Sequence, residues 1–258
     1  MPIEAEQHQK QAIRDLFTRI ARAYDRANRI MSLGQDQRWR RAALAQLALP
    51  SGGRLLDVAT GTGDLALLAQ AHPSRPRVIA TDLTPAMLDR AGVKAQAQAR
   101  TEGGVFPLVV SDGLALAFGD DAFDSVMSGF MMRNVPDVAQ AFREQRRVVR
   151  PGGRVVCLEM TWPQRFPLRW LFHIYFFGLA PLLGLLISGD REAYCYLPRS
   201  VREFRSPAAL AETMVQAGLR EVRWSLMMLG TVAIHVGVKP VAAEEPVPYE
   251  AEANRRRA

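Results

Sequence analysis

The sequence predicts an α/β fold: a seven-stranded, mostly parallel sheet closed by an antiparallel C-terminal pair, with helices on both faces. Three observations carry that expectation. From Arg54 to Glu159, short β-rich runs alternate with helical patterns, the order of a parallel sheet with crossover helices. The run Leu55–Val58 ends in the turn Gly61-Thr62-Gly63-Asp64 and passes at once into an apolar helical segment, the strand–turn–helix context of a nucleotide-type ligand. The runs 219–226 and 231–238 are joined by Met228-Leu229-Gly230 alone, whereas a parallel crossover needs a dozen or more residues.

Taken in order, residues 8–32 read as a helix carrying Ile13, Leu16, Phe17, Ile20 and Tyr24 near helical spacing. Gly34 breaks it, and a second helix runs from about Gln35 to Leu47 before Pro50. Candidate strands then fall at 54–59, 77–81, 105–110, 123–129 and 153–159, with helices near 64–72, 85–100 and 137–149. Pro151-Gly152-Gly153 is a tight turn into the fifth strand. Ser206 to Ala217 reads as a helix stopped by Gly218. Residues 1–239 are expected to form one domain, with 1–50 as a helical cap and 162–200 as an apolar insertion covering the substrate. Residues 240–258, rich in Pro, Ala, Glu and Arg without apolar periodicity, read as a disordered tail.

Within the insertion, Trp170 to Ile187 has no Asp, Glu, Lys or Arg, carries His173 as its one basic side chain, and approaches the length of a membrane span. Gly178, Pro181 and Gly184 interrupt it, and a span would put two halves of one sheet on opposite sides. It is read instead as lying over the active site or in a membrane interface, with Arg165 and Arg169 toward anionic headgroups; an ordinary buried helix is the alternative. The net charge of +7 calls for an anionic partner, nucleic acid or a membrane surface. Cys157 and Cys195 lie far apart with no metal-ligand spacing, so the expectation is reduced thiols, no metal and a cytoplasmic location, peripheral on the membrane where the insertion touches it. Met1 to Arg22 has no apolar signal segment, so the mature chain is expected to start at or near Met1.

Ligands of open α/β sheets bind beyond the carboxyl ends of the strands. The loops there are 59–64, 81–84, 111–115 and 129–136, and Asp82 stands where a ribose-binding acid belongs. Gly61, Gly63 and Ala66 satisfy the looser dinucleotide spacing, so both a dinucleotide and S-adenosylmethionine fit. Asp64, opening the next helix, would oppose a pyrophosphate but suit the ammonium and sulfonium of the methyl donor. Asp57, inside the first strand, is a second carboxylate that needs a partner if buried.

The run Asp57-Val-Ala-Thr-Gly-Thr-Gly-Asp64 resembles the first motif of Rossmann-like class I S-adenosylmethionine-dependent methyltransferases. Tyr24-Asp25-Arg26-Ala27-Asn28 through Met31-Ser32 to Trp39, Gly129-Phe-Met-Met-Arg-Asn-Val135, Arg147 to Glu159, and Gly189-Asp190 through Tyr196-Leu197-Pro198 to Ser200 resemble, more narrowly, signatures of the UbiE/COQ5 family. The match spans about 14–239. Asp36 departs from the family's usual His, Ala27 from Met, Arg150 from Lys and Thr161 from Ser. The resemblance implies C-methylation of a polyprenylated quinol in menaquinone or ubiquinone biosynthesis, demethylmenaquinol before a methoxy-polyprenylbenzoquinol. It implies cofactor contacts at Asp57, Gly61, Thr62, Gly63, Asp82, Leu83, Asp112, Gly113 and Gly129.

Methylating a ring carbon requires removing a hydroxyl proton and stabilising the phenolate. Arg133 and Asn134 are expected to hold the hydroxyl oxygen, with a water or Tyr24 passing the proton; pairing of Arg133 with a carboxylate that merely fixes the loop is the competing reading. His235, within a β-rich run, reads as a hydrogen-bonded core residue, with a role as base the lesser alternative. An RNA substrate is disfavoured because 129–135 carries neither an Asn/Asp-Pro-Pro-aromatic loop nor a nucleophilic cysteine. The sequence does not fix the oligomeric state; it is compatible with a homodimer.

Overall fold

The computed structural model describes residues 3–102, 105–163 and 166–241; the predicted tail falls almost wholly outside them, as does Arg165. Seven strands, β1 Arg54–Val58, β2 Arg77–Asp82, β3 Leu108–Val110, β4 Phe123–Gly129, β5 Val149–Met160, β6 Arg220–Met227 and β7 Val232–Val238, form one sheet in the order β3-β2-β1-β4-β5-β7-β6. β1 to β5 pair in parallel, and β7 runs antiparallel to both β5 and β6. The central strands are buried on both faces, as helices on both sides require.

The helices are α1 Ile3–Ile20, α2 Tyr24–Met31, α3 Asp36–Leu44, α4 Asp64–Gln70, α5 Pro85–Glu102, α6 Val138–Val148, α7 Leu168–Ile174, α8 Ala180–Ser188, α9 Arg191–Glu203 and α10 Pro207–Gln216. A π-helical turn at Tyr175–Leu179 joins α7 to α8 without a break. One core, with Phe142, Leu210 and Met214, lies under α6 and α10; the other, with Trp39, Leu44 and Leu65, lies under α3 and α4. A third cluster, including Leu16, Ile20 and Met87, seats the N-terminal helices on α5.

Several boundaries differ from expectation. The helix expected over 8–32 is two helices, broken at Ala21–Ala23 where no glycine or proline marks the turn. β3 begins only at Leu108, because Pro107 has no N–H to give the ladder. Pro151-Gly152-Gly153 lies inside a longer β5, where the register shifts between Phe123 and Ser125 and Gly152 adopts φ +76°. α9 was not predicted at all; Asp190 caps it by accepting from the Ala193 amide at 3.1 Å.

Candidate active site

Beyond the carboxyl ends of β1, β2, β3 and β4, the four predicted loops line one cleft of roughly 780 Å³, open mouth included, within the range of small-molecule sites. Ala59 and Gly61, Asp82 to Thr84, Ser111 to Leu114, and Gly129 to Pro136 outside Met132 and Arg133 form its floor. Lys10, Ile13 and Phe17 of α1 close over it. Gly61 (φ +57°) turns the loop away from β1 and its amide donates to Asp82 Oδ2 at 2.8 Å, while Thr84 donates to Oδ1 at 2.8 Å. Each Asp82 oxygen thus keeps lone-pair capacity for a diol hydroxyl. Burial pushes the Asp82 carboxyl up, against the pull of the Thr84 and Gly61 amides. A Cβ on Gly113 would stand 2.2 Å from Met131 Cε, so that stretch of floor tolerates no side chain without displacing Met131. Asp112 accepts from Leu114 N at 2.9 Å and pairs with Lys10 at 2.8 Å across the cleft mouth. A carboxylate cradle for a diol and a glycine-floored slot with an acceptor at its edge fit an adenosine moiety.

The remaining cofactor candidates serve the frame. Asp57 is fully buried and lines no part of the cleft; Thr60 donates to it at 2.6 Å, and burial pushes its carboxyl up to about 7 despite that bond. Gly63 (φ +85°) caps α4 and packs on Ala91. Thr62 is buried and donates its hydroxyl to Asp25 in a short contact. Asp64 corrects the argument drawn from its charge. Burial pushes it up, but Arg40 and Lys94 outweigh that and hold it below the usual carboxylate range. Lys94 Nζ lies 2.5 Å from Asp64 and 2.8 Å from Asp25, and Arg40 lies 3.5 Å from Asp64. The carboxylate is spent on joining the cap to α4 and α5 and is not offered to a ligand.

A second cavity adjoins the cleft, walled by Tyr24, Asn28 and Met31 of α2, Trp39 and Arg40 of α3, Phe130, Arg133, and Phe176 and Leu197 of the insertion. Tyr24 and Phe130 line both compartments. Phe130 adopts φ +60°, with the guanidinium carbons of Arg40 and Arg133 at 5.6 and 5.7 Å from its ring centre and Trp39 edge-on at 6.4 Å. Arg133 donates to buried Glu159 in a short contact and to the Phe130 carbonyl at 3.1 Å, the pairing anticipated as the competing reading. Its Nε–H has no partner among the described residues. Asn134 donates to the Phe130 carbonyl at 3.0 Å and accepts from Tyr196, which sequence reasoning had left without a role. The Tyr24 phenol is pushed up by burial, with Arg133 and Asn28 opposing. Asp36 is buried against Arg40 at 2.6 Å and Ser32 at 3.1 Å. His235 lines none of these cavities; it is buried beside the Pro207 carbonyl at 2.9 Å, and burial holds it down to about 4.

A profile of the ubiE/COQ5 methyltransferase family matches residues 5–239. The chain belongs to that family. Among its relatives, the demethylmenaquinone methyltransferase of Roseiflexus castenholzii is 46% identical over 225 residues, covering 87% of this chain and 92% of that one. Its counterpart from Thermus thermophilus is 43% identical over 225 residues, 87% of this chain and all of the other. The ubiquinone/menaquinone biosynthesis C-methyltransferase of Desulfotalea psychrophila is 40% identical over 227 residues, 88% and 90% of the two chains. A S-adenosylmethionine-dependent methyltransferase from Thermotoga maritima superposes with a TM-score of 0.61 at 16% identity, over 88% of this chain and 99% of that one, a likeness of fold alone. The ubiE/COQ5 signatures fall on the walls of both compartments: Tyr24 to Trp39, Gly129 to Val135 and Leu197 all contribute.

Proposed function

We propose that this methyltransferase uses S-adenosylmethionine to C-methylate a polyprenylated quinol, demethylmenaquinol in the first instance. The observation that carries the reading is the pair of adjoining compartments: a cleft fitted to a nucleoside, and an aromatic cavity holding a buried arginine, with Tyr24 and Phe130 between them. The relatives named for demethylmenaquinone support the choice of acceptor. When bound, the donor supplies an electrophilic methyl group. Asp82 would hold its ribose hydroxyls and Asp112, released from Lys10, its adenine amine.

The residues of the second cavity have separable tasks. Phe130, Trp39 and Phe176 provide flat apolar walls for a fused ring. Arg133, fixed by Glu159, directs its spare Nε–H to a ring hydroxyl oxygen and stabilises the phenolate, a role that needs a cation which never deprotonates. Asn134 is held by Tyr196 and sets the loop. Tyr24, with its phenol pushed up, stays protonated and serves as a hydrogen-bonding wall; a water takes the ring proton. The apolar insertion faces the prenyl tail, and through it the enzyme meets a membrane peripherally.

Assay with labelled methyl donor and both quinols tests this. Methyl transfer to demethylmenaquinol is expected, and labelling of neither quinol defeats the reading. Arg133→Lys keeps a cation against Glu159 but loses the Nε–H; turnover should fall roughly 10²-fold while S-adenosylhomocysteine affinity stays within about twofold.

A further inference from the structure

The continuous helix from Leu168 to Ile187 is long and apolar enough to cross a membrane, yet only 12% of it is buried. Its outward side carries Trp170, Leu171, Ile174, Leu182, Leu185 and Leu186, all exposed and returning at helical spacing. No Asp or Glu occurs between Leu168 and Ile187. So large an apolar face, left open on a folded domain, marks an interaction surface. The helix does not leave the domain: Tyr175 donates to the Met31 carbonyl at 2.5 Å, and Arg26 donates to the Ile187 carbonyl at 2.9 Å. It is pinned along α2 at both its middle and its end, which excludes a span and leaves it lying flat.

Charge decides what covers it. Arg169 is exposed in the first turn, Arg202 stands 5.8 Å from the ring centre of Phe177, and Arg26 sits at the far end. Among the described residues no carboxylate pairs with any of these three side chains, and the acids just past the helix, Asp190 and Glu192, are both engaged by Arg19. In a two-fold dimer the same patch meets itself, so a second copy would press this arginine rim against its own image. Anionic headgroups complement it instead.

We propose that the outward face of this helix docks on an anionic lipid bilayer, lying in the interface with its leucines in the acyl region and Arg26, Arg169 and Arg202 among the headgroups. Phe176, on the inward side of the same helix, walls the second cavity. A lipophilic tail leaving that cavity reaches the bilayer after crossing about one helix diameter, roughly 10 Å. The docking rests on the quinol reading only for the identity of what enters.

Co-sedimentation of the full chain with phosphatidylcholine vesicles, with and without phosphatidylglycerol, tests it. Capture by the anionic vesicles is expected. It should fall roughly tenfold or more in Leu182→Glu/Leu186→Glu and in Arg169→Glu/Arg202→Glu. Unaltered circular dichroism in both variants checks that they fold. Failure of the unsubstituted chain to bind, equal binding of the charge-reversed form, or a stable dimer split by the leucine substitutions without vesicle capture overturns the proposal. Turnover of a short-tailed, water-soluble quinol should be the same in the leucine variant as in the unsubstituted chain. Absence of that turnover in the unsubstituted chain would count against the acceptor, not the docking.

Discussion

At the residue scale, Asp82 does two jobs with one carboxylate. It accepts the Gly61 amide and so sets the glycine loop, and its remaining lone pairs face the cleft. Asp82→Ala should therefore remove measurable S-adenosylhomocysteine binding by calorimetry. Affinity within a few-fold of the original would take Asp82 out of the site. The family resemblance marks Asp57 and Asp82 alike as cofactor contacts, and the fold separates them. Asp57, inside β1, points into the frame, where Thr60 donates to it, and Asp82, at the end of β2, points into the cleft.

At the element scale, the cap is bound to the sheet's helices by charge as well as by packing. Asp25 on α2, Lys94 on α5, Asp64 on α4 and Arg40 on α3 form one connected set, extended to Asp36. Lys94→Met leaves two carboxylates without their shared cation, one of them largely buried. A loss of about 1–3 kcal/mol, less than for a fully buried pair, is expected as a lower urea midpoint with unchanged m. A midpoint equal to that of the unsubstituted chain would mean that the set carries no net stability. Nothing in the sequence announced Lys94: it lies mid-helix, and its partners are 30 and 69 residues away.

At the scale of the whole molecule, two buried groups act oppositely on stability between about pH 4 and 7. Asp57, raised to about 7, stabilises the fold below its unfolded value near 4, and that contribution is lost as pH rises through 7. His235, held down to about 4, contributes stability present above its unfolded value near 6.5 and lost as pH falls toward 4. Asp57→Asn should make stability climb more steeply with pH across this window, and His235→Gln should make it climb less. Chemical denaturation at a series of pH values reads both, and parallel profiles for all three proteins would refute the opposition.

The parallel order, the antiparallel closure and the four ligand loops were legible because strand periodicity, turn residues and connection length each act locally. Less legible was the direction in which a polar side chain points. Thr62 and Asp64 sit in the glycine motif and face the cap, and Arg133 meets Glu159, which lies 26 residues further on. Tyr196 and Phe176 belong to an insertion whose apolarity was plain but whose inward face only packing defines.

Tyr24 and Phe130 form a party wall, each with one side toward the nucleoside cleft and the other toward the aromatic cavity. Any occupant that shifts this wall changes the shape of the neighbouring compartment, and the effect on affinity runs equally in both directions. Whatever factor a bound acceptor gains from the presence of the donor, the donor gains from the acceptor, so the tightness of one ligand is a gauge of the other.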